Sequence, residues 1–344
     1  MIILKPLQFI WACFYHVRRI LYRGKFLTSY ESPIPVISVG NLSFGGTGKT
    51  PLVLYLLNYF QNKNCSPLIL TRGYKSELEN KGKIILANSH HDFKPLQIGD
   101  EPFLILKNLK KGALAVGKNR VKNLSSALKN SPFDVAILDD GFQHLKVARD
   151  LNLLLLDSQQ LDTNKWHFPP LGYWREGLDA LIDADFILFT KALNTNNIEI
   201  NSFLEKVNHY LKPNIEWASL DYKPVGLCNL HGELKLNLSD VRNKKAVVFC
   251  GIAHPTFFIS QLKELGVEVV ETIEFSDHHH YSLEEINQLL GRIQEHHAIG
   301  IMTEKDKVKV AELTQDSRLY YLSIDVIFLE GENQFLERIS SVIK

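Results

Sequence analysis

Several groups of residues in this chain have types and spacings suited to phosphate chemistry. The first is Ser43-Phe44-Gly45-Gly46-Thr47-Gly48-Lys49-Thr50. Glycines in such a turn let successive backbone N–H groups converge on phosphate oxygens, and a helix starting beyond them presents its N-terminus to the same anion. Lys49 would reach the β- and γ-phosphates of a nucleotide, and the Thr50 hydroxyl would ligate Mg²⁺. Ser43 stands where the usual G-x-x-x-x-G-K-[ST] pattern has its first glycine. The second group is Asp139-Asp140, at the end of the apolar run 135–138. One of the two would support the metal, directly or through water. On a continuing strand their side chains point opposite ways, so the pair could serve two tasks. A third group is dispersed: Gly99-Asp100-Glu101-Pro102, Arg175-Glu176, Asp277-His278-His279-His280 and Thr303-Glu304-Lys305-Asp306. Asp100 taken alone reads as a helix N-cap with Glu101 and Pro102 in the first turn. The planar fork of Arg175 suits the oxygens of a substrate or a transferring phosphate, the alternative being a surface salt bridge to Glu176 or a neighbour. The histidine run lacks helix or strand spacing for metal ligands, which weighs against a metal site there. Lys305 and Asp306 follow an apolar strand, and their role stays open.

Such residues need a parallel sheet to position them. Apolar, β-rich runs at 35–39, 68–71, 83–86, 135–138, 151–156 and 186–190 alternate with helix-like segments at 51–61, 101–109 and 120–129. This alternation predicts an α/β fold with a largely parallel sheet of the P-loop NTPase type. Strand, glycine turn, Lys-Thr and helix agree around residues 35–61, which sets the phosphate loop apart from a plain turn. Residues 220–240 read as turns and short strands linking to a second, smaller α/β domain. That domain has strands at 246–250, 267–273, 298–302 and 320–328 and helices at 255–265 and 283–294. The expected organisation is therefore an N-terminal amphipathic helix (1–30), a P-loop domain (31–219), a linker (220–240) and a C-terminal domain (241–344). No internal repeat or low-complexity tract interrupts it.

The 344 residues carry a net charge of +1, with 45% hydrophobic and 22% charged residues. These values suit a folded protein with a sizeable core and give no chain-wide attraction to nucleic acid. Cys13, Cys65, Cys228 and Cys250 are far apart and form no C-x-x-C, so neither a disulfide framework nor a zinc site is indicated, in keeping with a reducing cytosol. The first 27 residues hold Lys5, Arg18, Arg19, Arg23 and Lys25 and no acid. Gln8 and His16 break their apolar run, which falls short of the roughly 20 residues a spanning helix needs. No small-residue cleavage site follows, which weighs against a secretory signal. Aromatic rings with arginines on one helix suit a membrane interface, the cations meeting anionic headgroups. A helix packed on the domain, with Trp11, Phe14 and Tyr15 in the core, is the alternative.

Two nucleotide-switch classes fit poorly. Phe189-Thr190-Lys191-Ala192-Leu193 lacks the aspartate of an N-K-x-D base reader, and Phe44 stands where partitioning ATPases carry lysine. A metabolic kinase leads. The full set of motifs adds Gly40-Asn41 and Pro51 around the loop, Thr71-Arg72-Gly73-Tyr74, Asp139-Asp140-Gly141-Phe142-Gln143-His144, Arg149-Asp150 and Phe275-Ser276 before Asp277 to those above. In this order and spacing it resembles the tetraacyldisaccharide 4′-kinases, the lipid A 4′-kinases of Gram-negative bacteria, over nearly the whole chain. Ser43 is ordinary for that family. The resemblance implies transfer of the γ-phosphate of ATP to the 4′-hydroxyl of a tetraacylated glucosamine disaccharide 1-phosphate, giving lipid IVA. It implies action at the cytoplasmic face of the inner membrane, with attachment through the N-terminal helix and with the chain acting as a monomer. Asp100 matches the aspartate expected to take the hydroxyl proton and His278 its partner, so the second domain would have to fold over the first to join them. Residues 166–173 are more aromatic than the family's usual Leu-Pro-Ala-Gly run, so substrate contacts are not carried over there. The competing readings are a membrane-docked P-loop regulatory or assembly ATPase and a soluble sugar or cofactor kinase.

Overall fold

A computed structural model describes residues 5–252 and 255–343. Residues 1–4 of the expected N-terminal segment, and 253, 254 and 344 of the expected C-terminal domain, lie outside the described residues. The chain forms two compact units: residues 1–92, 105–221 and 326–344 make one, and residues 93–104 and 222–325 the other.

The first unit contains β1 (Val36–Asn41), β2 (Pro67–Thr71), β3 (Lys83–Leu86), β4 (Ala113–Val116), β5 (Val135–Asp139), β6 (Leu151–Asp157), β7 (Phe186–Thr190) and the start of β8 (Glu216–Asn229). Their order is β8-β7-β6-β1-β5-β2-β4-β3. All pair in parallel except β3, which runs antiparallel to β4. Every residue of β1, β5 and β6 is buried. Continuous apolar runs are what strands covered on both faces require. In the centre of this sheet, β1 and β5 end at Asn41 and Asp139, which places the phosphate loop and the two aspartates beyond neighbouring carboxyl ends. The helix Lys49–Asn62 packs back through Thr50, Leu52, Val53, Leu56, Leu57 and Phe60, an inward face of helical period.

The second unit holds the rest of β8, then β9 (Leu234–Asn237), β10 (Lys245–Cys250), β11 (Glu268–Glu274), β12 (Ile299–Met302) and most of β13 (Leu319–Glu330). Its order is β11-β10-β12-β13, all parallel, while β9 forms an antiparallel hairpin with β8. The helix Leu283–Glu295 buries Ile286, Leu289 and Ile293 and is started by a capping box between Ser282 and Glu285.

The division differs from the expected one in three places. Residues 220–240 hold most of β8, β9 and a short helix in place of a linker. The C-terminal helix Glu332–Val342 belongs to the first unit, because Phe335 packs on Phe186 with ring centroids 5.5 Å apart and Tyr55 donates to Glu332 at 3.1 Å. The segment 93–104 belongs to the second unit, through the charged contacts of Asp100 and Glu101 described below.

Candidate active site

The phosphate loop is held by its backbone and by three neighbours. Phe44 N–H donates to Tyr173 O at 2.6 Å, Arg175 N–H donates to Leu42 O at 2.7 Å, and Ser43 forms a bridge with Trp174. Asn41 Nδ2 donates to Thr47 Oγ1 at 2.8 Å. Gly48 precedes the helix at φ 81°, a left-handed conformation that glycine adopts without strain. Gly40 is required for contact, since a Cβ there would lie 2.6 Å from Phe142 Cβ and N. At Gly46 a Cβ would meet nothing within 4 Å, so the loop opens on one side as a cradle. The first amides of the Lys49–Asn62 helix have no acceptor inside the helix. An open glycine turn that leads into free helix amides suits a phosphate group.

Lys49 Nζ stands 3.3 Å from Asn41 Oδ1 and 3.5 Å from Asp140 Oδ1. Arg175 Nη1 reaches both oxygens of Asp140, at 3.0 and 2.9 Å, and Gln143 Oε1 at 3.2 Å. Burial works against charge on Asp140, but Lys49 and then Arg175 outweigh it and hold the carboxyl down to about 2. The Arg175 guanidinium also lies over the Phe44 ring at 4.8 Å, and its Nε is buried with no hydrogen-bond partner among the described residues. Of the alternatives, the pair of Arg175 with Glu176 does not form, whereas an ion pair with Asp140 does. Glu176 is instead buried against Arg19 of the N-terminal helix.

Asp139 ends β5, and Asp140 turns away at φ 49°, so the two do not share a continuing strand. Asp139 is buried and its Oδ2 accepts from Thr71 Oγ1 at 2.8 Å, while Arg120 Nη2 donates to its carbonyl at 3.1 Å. Thr50, also buried, opens the helix beside Lys49. A buried hydroxyl and adjacent carboxylates suit Mg²⁺, a hard cation that prefers oxygen ligands. Gln143 ties the aspartate turn to the loop by donating to Asn41 O at 2.8 Å. Burial, then Arg120 and Arg18, push the His144 imidazole down to about 3, which keeps it neutral.

In the second unit Asp100 and His278, 178 positions apart, meet at 3.2 Å between Oδ2 and Nδ1. Because residues 93–104 belong to this unit, the pair forms without any closure of one unit on the other, contrary to the sequence expectation. Burial opposes charge on Asp100, but His278 and then Lys309 outweigh it and hold its carboxyl below the ordinary range. The hydrogen bond to Asp100 raises His278, against a smaller opposing effect of burial. Lys305 forms an ion pair with Glu101. Asp306 accepts from Gly251 N–H and from the Thr303 hydroxyl. Among the described residues no cluster of three or more His, Cys, Asp or Glu is arranged to hold a metal.

Sequence reasoning missed Gln143 as a link, Arg120 behind Asp139, and Lys309, whose ammonium lies 3.2 Å from Asp100. Lys309 had a signal: it follows Asp306 by three residues, which on a helix puts both on one face. Arg120 had none.

The comparisons extend the geometry. Residues 1–344 match the family described as tetraacyldisaccharide-1-P 4′-kinase, LpxK. A tetraacyldisaccharide 4′-kinase of Syntrophotalea carbinolica is 31% identical over 99% of this chain and 91% of its own. That of Desulfotalea psychrophila is 33% identical over 92% and 89%. A crystal structure of LpxK from Aquifex aeolicus in complex with ATP superposes with a TM-score of 0.79 at 28% identity, covering 99% of this chain and 98% of that one. The loop, the aspartate turn and the Asp100–His278 contact all fall within these matches, and the chain belongs to the tetraacyldisaccharide-1-P 4′-kinase family.

Proposed function

We propose that this chain transfers the γ-phosphate of ATP to the 4′-hydroxyl of a tetraacyldisaccharide 1-phosphate, giving lipid IVA, as a monomer at the cytoplasmic face of the inner membrane. Family membership over the full length supports the reaction. The single observation that carries the mechanism is the Asp100–His278 contact inside one folded unit.

In this reading the amides of 45–50 and Lys49 hold the β- and γ-phosphates, and Arg175, with its buried unpartnered Nε, turns from Asp140 toward the transferring group. Thr50 with the Asp139-Asp140 pair would hold Mg²⁺, which when bound neutralises charge on the phosphates. The electrostatics favour the reverse of the expected assignment, in which Asp100 took the proton and His278 supported it. A carboxyl held below its ordinary range is a weaker base, and an imidazole raised above its ordinary value is a stronger one. His278 therefore takes the hydroxyl proton at Nε2, and Asp100 fixes the ring through Nδ1 and stabilises the imidazolium.

The N-terminal helix Lys5–Arg23 supports the membrane reading. Leu7, Ile10, Phe14 and Val17 recur at helical spacing and stay more than half exposed. No described helix is long and apolar enough to span a bilayer. An exposed apolar stripe on a docked helix suits the acyl boundary of a membrane surface. The testing experiment is ATP turnover by purified protein with and without the lipid acceptor in detergent. Turnover strictly dependent on the acceptor is expected; turnover indifferent to it supports a regulatory ATPase instead.

A further inference from the structure

Asp100 has a second cationic neighbour. The same Oδ2 that meets His278 lies 3.2 Å from Lys309 Nζ, and on its other side this ammonium lies 3.3 Å from Asp306 Oδ1. Lys309 is 5% exposed and Asp306 0%. The Tyr281 ring covers the ammonium at 5.6 Å. Asp306 is fixed independently, its oxygens accepting from Gly251 N–H at 3.1 and 3.2 Å and from Thr303 Oγ1 at 2.6 Å. A buried ammonium is costly to desolvate, so one that bridges an anchored carboxylate and the carboxylate holding the imidazole calls for a purpose beyond packing.

We propose that Lys309 is a positioning residue for the Asp100–His278 pair, anchoring the Asp100 carboxylate against Asp306 and, by competing for the same oxygen, setting how tightly His278 holds its proton. The inference rests on His278 being the acceptor of the hydroxyl proton. Its direction follows from charge. With a neutral imidazole, the two carboxylates outnumber the one ammonium, and a proton on His278 restores balance. Removing the ammonium makes that proton more favourable; removing the charge of Asp306 makes it less so. The other groups facing the pair stay the same in both cases: Asp277, 3.9 Å from His278 Nε2, the Glu101–Lys305 pair from the neighbouring helices, and Cys250 on β10, whose thiol burial and then Asp306 push up to about 12.

The test uses the full chain, with the His278 ring titrated by NMR beside the pH profile of kcat/KM. Lys309→Met should move both the ring titration and the acid limb upward by about one unit, a roughly tenfold loss at acid pH that is recovered at alkaline pH. Asp306→Asn should move both downward, and Lys309→Arg should leave them near the native values. An unmoved titration in Lys309→Met, with activity lost by the same factor at every pH, would reduce Lys309 to a structural role and overturn the proposal. If Lys309→Met does not fold, Asp306→Asn decides alone: a downward shift supports the proposal, and no shift or an upward one overturns it. If the ring titration moves as described while the rate profile follows another group, the positioning stands and the reading of His278 as proton acceptor falls.

Discussion

At the scale of single residues, there are two sets of charged groups, one around Asp140 and one around Asp100. Lys49 and Arg175 converge on Asp140, and in the proposed mechanism Lys49→Ala would remove a charge from the transferring phosphate. Turnover should fall by at least about 100-fold, and near-native turnover would remove the phosphate loop from the mechanism. Asp100→Asn acts elsewhere: kcat should fall by about 10²–10⁴ while ATP affinity stays within a few-fold. A collapse in ATP binding would make Asp100 a nucleotide or metal ligand. The pair also fixes a pH dependence. As the proposed proton acceptor His278 would have to be neutral, and the Asp100 hydrogen bond raises its value, so activity should decline as pH falls through that raised value. Stability runs the other way for each partner. The contribution of His278 is full below its unfolded value and is lost as pH rises through the folded one. That of Asp100 is present above the ordinary carboxyl range and is lost as pH falls through its lowered value. Asp100→Asn should therefore destabilise the second unit most between these limits, which thermal melts across pH will show.

The N-terminal helix is the element whose reading changed most. Its arginines were expected at lipid headgroups, yet each has a protein partner. Arg18 donates to Gln143 O at 2.8 Å, Arg23 Nε to Asp183 Oδ1 at 2.7 Å, and Arg19, 1% exposed, pairs with Glu176 and Asp183 beneath the helix. Trp11 Nε1 donates to Arg175 O at 2.9 Å, so the helix grips the same segment that borders the phosphate loop. Arg19→Met should cost about 3–5 kcal/mol in urea unfolding, since Glu176 would be left charged and buried; a cost near zero would show that Arg19 is exposed in solution. Nothing in the sequence marks Arg19 as different from Arg18, because one arginine looks like another until its partner 157 positions away is in place. Strands β1, β5 and β6 were legible because burial on both faces demands unbroken apolar runs. Strand β4 was not, being four residues between two glycine turns, and β8 was obscured by exposed Lys223 and by Pro224 within it. The meeting of Asp100 with His278 was legible only through resemblance, since neither spacing nor composition encodes a contact across 178 positions.

At the scale of the whole molecule, a P-loop-bearing unit, a unit holding the Asp100–His278 pair and a helix with an exposed apolar stripe suit a kinase for a lipid acceptor. The stripe gives a prediction independent of catalysis. Replacing Ile10 and Phe14 by glutamate should weaken binding to phospholipid vesicles by at least about tenfold, as two apolar side chains lose their place in the acyl boundary. Unchanged sedimentation with vesicles would assign the stripe another partner. The central claim concerns what is made. Mass spectrometry of the lipid recovered after incubating the purified protein with Mg²⁺, ATP and tetraacyldisaccharide 1-phosphate tests it most directly. The expected product is heavier than the acceptor by one phosphoryl group, located on the 4′-oxygen by fragmentation. An unmodified acceptor beside consumed ATP, or a phosphoryl group at another position, would contradict it.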